Sequence, residues 1–252
     1  MTDPAVPHTP GASTVHALRR AVGTPARRVL LAVTLLLGAL AAAALALAGP
    51  PDDRTFATLS DAAQSLMSVV VPAFGILLVH DLERQPGVVR RTPTLLAAAL
   101  LAAVVALFGV LVCGAALALT TSSAQDPWQH LGTVVLGSVL VQVVAQFVGT
   151  GLGLLIRRPA IAFVATIVLP LGLWFLLGAV DVLRPVQALT PYSSVRHLLS
   201  GQMTALNWVQ WLGVLLIWGV GLNAFGVARR RQRTSHGQPA PAPEEQRASL
   251  EP

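Results

Sequence analysis

Residues 95–119 read "LLAAALLAAVVALFGVLVCGAALAL", a run with no charged side chain. A helix rises about 1.5 Å per residue, so this run is long enough to cross a hydrocarbon layer of roughly 30 Å. Five more runs of the same character flank it, at about 29–48, 62–79, 132–156, 160–180 and 208–228, and none of the six contains Asp, Glu, Arg, Lys or His. Charged residues make up 11% of the 252-residue chain and hydrophobic ones 54%, whereas an average soluble domain carries about 25% charged residues. A water-soluble core of this length would leave much of that apolar surface wet. The expected fold is therefore all-α, a polytopic membrane protein whose six transmembrane helices occupy residues 29–231, embedded in a lipid bilayer.

The charges give an orientation. All 17 basic residues are arginine. Arg19, Arg20, Arg27 and Arg28 precede the first run, Arg84, Arg90 and Arg91 follow the second, and Arg157 and Arg158 follow the fourth. Arg229, Arg230, Arg231, Arg233 and Arg247 follow the sixth. The opposite connections hold only Arg54, Arg184 and Arg196, together with Asp52, Asp53, Asp61, Asp126 and Asp181. Basic residues accumulate on the cytoplasmic side of a membrane, which places both termini in the cytoplasm, and an even number of spans requires them to share a side. The net charge of +6 is then topological and predicts no nucleic-acid partner. Trp128, Tyr192, Trp208 and Trp211 fall at the outer ends of spans, as an interfacial aromatic belt would. The "ALALAGPP" at 44–51 resembles a signal-peptidase site, but a long polar segment precedes an apolar run longer than a usual signal core. It is read as part of an uncleaved first span, in a bacterial plasma membrane.

Residues 1–14 and 232–252 lack an apolar period and are expected to be disordered. Between them and the spans, "VHALRRAVGTPARR" at 15–28 alternates apolar residues with arginines. It suits an amphipathic helix on the inner membrane surface, interrupted near Pro25, or simply a basic anchor for the first span.

Several chemistries are excluded or disfavoured. Without lysine there is no Walker A phosphate loop and no Schiff base. Cys113 is the only cysteine, so there is no internal disulfide or paired-cysteine metal site. The six histidines do not form HExxH, and no metal or cofactor site is expected on this chain. Ser193, Ser194 and His197 lie close in sequence, but no glycine-rich elbow surrounds them, and no catalytic residue is assigned. Ion-driven transporters place ionisable groups within the membrane. The six runs contain none, so energy for any transport would come from outside the chain.

Polar groups are present nonetheless. Ser138, Gln142, Gln146 and Thr150 recur every four residues along the fourth run, on one helical face. Amides in hydrocarbon need partners, so this face should meet other helices or line a translocation path. Gly149 and Gly153 permit close backbone packing, and Pro170 should kink or break the fifth span. The connection 181–207 mixes apolar and polar residues around Pro185 and Pro191, and reads either as short half-helices or as a loose loop.

Three places resemble one family. "HDLERQPGVVRRT" at 80–92 is a short charged segment after the second span, ending in a Gly-x-x-Arg-x-Thr pattern at Gly87, Arg90 and Thr92. "GTGLGLLIRRPAIAFVATIVLPL" at 149–171 joins a small-residue fourth span to an Ala-rich fifth through an arginine turn. "LTPYSSVRHLLSG" at 189–201 precedes a Trp-rich last span ending in "ARRRQR". In this order, over about residues 15–233, they resemble the permease subunit of type-2 ABC exporters. The chain departs from that family in its abrupt entry to the third span and in lacking Trp and Lys in the N-terminal segment. The resemblance implies six helices per subunit, a homo- or heterodimer of permease subunits, and a separate cytoplasmic ATP-binding subunit that carries the ATP. It also implies that the segment holding His80, Asp81, Glu83, Arg84, Gly87, Arg90 and Arg91 docks that ATPase. The alternative role for its arginines is to anchor the third span. A non-transporting membrane scaffold or regulatory protein is the second reading of the whole chain.

Overall fold

The computed structural model describes residues 10–84 and 91–236, which form helices and connecting turns with no strand among them. Helix α1 (Pro10–Ala21) precedes the first span, α2 (Pro25–Ala48). The second crossing is divided into α3 (Phe56–Val70) and α4 (Pro72–Arg84). Helices α5 (Arg91–Ala118), α6 (Leu131–Leu155) and α7 (Pro159–Ala179) are the third, fourth and fifth. Among the described residues, six stretches are long and apolar enough to cross a membrane, the last running Ala205–Arg230. It is assembled from α9 (Ala205–Val214), a widened π-helical stretch (Leu215–Gly221) and α10 (Leu222–His236).

The helix starts follow from local chemistry. Threonine accepts a hydrogen bond from a free N–H of the first turn at Thr24, Thr55, Thr190 and Thr204. At Thr24 and Thr190 a proline follows, with φ already set for helix and no N–H to satisfy. Such a cap at Thr55 starts the second crossing at Phe56, ahead of the apolar run at 62–79. Asp61, expected in the outer connection, is thereby drawn onto the membrane-spanning helix. Helix α1 begins at Pro10 and ends before Gly23, and α10 carries the last span through to His236.

Helix α6 is the hub. It packs against α3, α4, α5, α7 and α10, and against the short helix α8 (Pro191–Ser200). Glycines allow the closest approaches. A Cβ on Gly149 would overlap the backbone of Pro72, and one on Gly137 would lie 2.5 Å from the Leu198 carbonyl oxygen. Helix α7 sits at the periphery, with only Ala162 and Thr166 buried, and continues through Pro170. The connection at 181–207 is built of short helical pieces, a 3₁₀ stretch (Asp181–Leu189) and α8, rather than a loose loop. Trp211 departs from the belt expectation. It is 8% exposed and packs with Val141, Leu198 and Leu199 in the core, whereas Trp128 stacks on Phe56 near the surface.

Candidate functional site

At the end of the bundle that carries both termini, the charged groups are tied together. Arg27 makes a two-pronged ion pair with Asp81, at 2.8 and 2.9 Å, and its guanidinium also donates to the carbonyls of Arg20 and Leu77. The first turn of α2 is thus fixed to the last turn of α4. His80 sets its ring nitrogens 2.9 Å from the carbonyl oxygens of Ile76 and Arg157, reaching the turn between α6 and α7. Arg230 of α10 donates to the carbonyls of Leu154 and Gly153 at 2.8 and 2.9 Å, where the negative end of the α6 dipole favours a cation. Of the residues expected to form a docking loop, His80 and Asp81 are engaged inside the protein, and Arg84 is exposed at the end of α4. Gly87, Arg90 and the side chains of Glu83 and Arg91 lie outside the described residues.

A second constellation runs through the interior. Ser138, Gln142, Gln146 and Thr150 are all fully buried. Gln142 donates to both the main-chain and side-chain oxygens of Gln64, at 2.9 Å each, and Gln64 in turn donates to the Ala106 carbonyl on α5. Gln146 lies at the break between α3 and α4. With its amide oriented as its neighbours require, it donates to the Val71 carbonyl (2.6 Å) and accepts from Gly75 N–H (3.1 Å). A helical bond would normally join those two groups, so the side chain is inserted into the ladder that Pro72 has already opened. Thr150 donates to Asn223, whose amide donates to the carbonyls of Gly219 and Phe147, the first of these within the π-helical stretch. Ser138 donates within its own helix, to Val134. The stripe seen in the sequence thus binds the second and sixth spans to the fourth. Gln64 and Asn223 are its partners; Gln64 is the single amide of the second apolar run, a signal present in the sequence but not singled out.

The third constellation is a lateral cleft of about 570 Å³ between α3, α6, α7 and α8. Its walls are mostly aliphatic, among them Leu66, Val144 and Ile167. Towards the end opposite the termini it holds Asp61 of α3 and Arg196 of α8, with Ser65 one turn below. Asp61 feels the charge of Arg196, yet the two charged groups do not close into a direct ion pair. Pro72 and Pro170 both line the cleft. Each lacks the N–H that would bond the carbonyl four residues earlier, and those carbonyls belong to Ser68 and Thr166, which line the same cleft.

Ser193, Ser194 and His197 all lie on α8. His197 lines a separate open pocket with His130, Thr133 and Asn207, whereas Ser194 is buried. Among the described residues no three His, Cys, Asp or Glu side chains gather as a metal site would require. No protein-family model, curated protein or solved structure matches the chain.

Proposed function

We propose that this chain is the membrane-spanning permease subunit of an ATP-driven exporter of the type-2 ABC kind, carrying an amphipathic or lipid-like compound out across a bacterial plasma membrane. Two such subunits would pair, and ATP would be bound and hydrolysed by a separate cytoplasmic chain. Fourteen of the 17 arginines flank the terminus-bearing end of the spans, which supports placing both termini in the cytoplasm.

The observation that carries the reading is the bracing of that end. The segment after α4 leaves from a junction in which Arg27 and Asp81 join the second span to the first, and His80 joins it to the turn before the fifth. A force applied by a partner to residues 80–92 would therefore act on three spans at once. Beyond the junction, the break at Val71–Pro72 and the π-helical stretch mark where these helices depart from regular geometry. An energy-coupled permease needs both a rigid point of application and helices able to rearrange.

The test is a mild-detergent purification of the tagged full chain from its own host, with partners identified by mass spectrometry. A near-stoichiometric P-loop ATPase is the expected result. Abundant, folded chain without such a partner would overturn the reading in favour of a non-transporting scaffold.

A further inference from the structure

A carboxylate on a membrane-spanning helix is costly unless it faces a partner, a cavity or water. Asp61 and Arg196 share one cleft without bonding each other. Had the purpose been structural, a direct pair would have been the cheaper arrangement, as Arg27 and Asp81 demonstrate at the other end. Opposite charges held apart at the rim of an apolar cavity match a ligand that brings both signs itself. Below them the cleft remains polar in places, at Ser68 and Thr166, the residues whose carbonyls lose their usual helical donors to Pro72 and Pro170. Broken helices within a membrane are tolerated where the exposed backbone lines a cavity. The break at Pro72 fits that requirement, and Pro170 lines the same cavity from α7, which continues through it.

We propose that the cleft between α3 and α7 binds a zwitterionic amphiphile, its ammonium at Asp61, its phosphate or carboxylate at Arg196, and its apolar body along Leu66, Val144 and Ile167. The guanidinium suits phosphate and carboxylate, whose oxygens it can meet in a fork. Asp61 and Ser65 supply acceptors for an ammonium. Ser68 and Thr166 below offer polar atoms to a hydroxyl or amide in the linker between head and tail. A volume near 570 Å³ lies within the usual range for small-ligand pockets, about 300–1,000 Å³. This names the substrate class of the proposed permease and rests on that reading for export, though not for binding.

The experiment needs no ATPase. Purified full chain in a neutral maltoside detergent is titrated with palmitoyl lysophosphatidylethanolamine, read by native mass spectrometry. Palmitoyl lysophosphatidylglycerol, hexadecylammonium and monopalmitoylglycerol provide anionic, cationic and uncharged comparators with similar tails. The wild-type chain is expected to bind the zwitterion about tenfold more tightly than any comparator, because each comparator lacks at least one of the two charge-assisted hydrogen bonds. Asp61→Asn should abolish the preference over the anionic lipid, and Arg196→Gln the preference over the cationic one. Equal binding of all four probes by the wild type overturns the proposal whether or not the variants fold, and so does an unchanged ranking in both folded variants. Discrimination here with no ATPase in the purification would keep the site and remove the transporter. The reverse pair of results would keep the transporter and remove the site.

Discussion

Asp61 and Asp81 lie on the same membrane crossing, twenty residues apart and therefore about 30 Å along a helix, yet they have opposite circumstances. Asp81 receives both prongs of Arg27 and is three-quarters covered. Asp61 is exposed at the mouth of a cleft, with Arg196 nearby but unbonded to it. The helix between them is broken at Val71–Pro72, where Gln146 fills the gap in the ladder. The difference shows how function can be sought in a chain with so few charges. A charge whose hydrogen bonds are complete holds helices together, and one whose bonds are left incomplete beside a cavity awaits something else.

The sharpest way to break the comparison is to disturb the joint that separates the two halves. Gly149→Val places a Cβ, and two methyls beyond it, against the Pro72 carbonyl and within 2.7 Å of its Cα. Backbone cannot retreat as a flexible side chain would, so the expected loss is about 3 kcal/mol, the upper part of the range for overpacking. Folded yield and thermal unfolding in detergent would measure it. Gly132→Val, where a Cβ meets nothing within 4 Å, is the control expected to change stability by less than about 0.5 kcal/mol.

Next comes the paired acid. Asp81→Asn removes the charge facing a guanidinium that is only 11% exposed. Breaking a fully buried pair costs about 3–5 kcal/mol. Partial exposure of Asp81 and the carbonyls that still receive Arg27 reduce the expectation to about 2 kcal/mol. Urea or thermal unfolding checks the magnitude, and Arg27→Gln together with Asp81→Asn should cost less than the two single changes added. Strict additivity would mean that the two side chains do not act as a pair.

The interior amides offer a smaller effect of the same kind. Gln64→Leu takes the side-chain oxygen away from the buried Gln142 amide and leaves it the main-chain oxygen alone, at an expected cost of about 1–2 kcal/mol. Adding Gln142→Leu removes the half-satisfied donor, and the double variant should recover part of the loss because leucine approximates the shape. Thermal unfolding of the three variants is sufficient. If the double variant is less stable than either single one, the amides contribute more than mutual satisfaction.

These cases also show what the sequence could disclose. The six spans were legible because hydrocarbon demands length and apolarity, both of which are local properties. The fourth-span stripe was legible for the same reason, since four-residue spacing fixes a face. Its partners were not, because Gln64 and Asn223 lie 78 and 73 residues away from the groups they meet, and helical periodicity carries no information about which face opposes which. Asp61 is misplaced by a boundary. A hydropathy run starts where apolar residues start, whereas the helix starts where Thr55 caps it. That shift of about two turns carries a carboxylate into a spanning helix, where it shares a cleft with Arg196, a residue from which four apolar runs separate it in sequence.

The smallest expected effect is therefore the most informative about the comparison. Asp61→Asn keeps the size and one acceptor of the side chain while removing a charge that has no direct ion pair. A charge at the mouth of a cleft with no ion pair to lose is expected to contribute within about 0.5 kcal/mol of zero, so unfolding of the ligand-free chain should hardly change, against about 2 kcal/mol for the chemically identical change at Asp81. Thermal unfolding of both variants in one neutral detergent measures the contrast directly. Equal destabilisation would mean that Asp61 is also a structural group, held by Arg196 through an arrangement tighter than the cleft displays. A loss confined to Asp81 would leave Asp61 as a charge that the fold keeps without needing it, which is the condition a ligand-facing carboxylate has to meet.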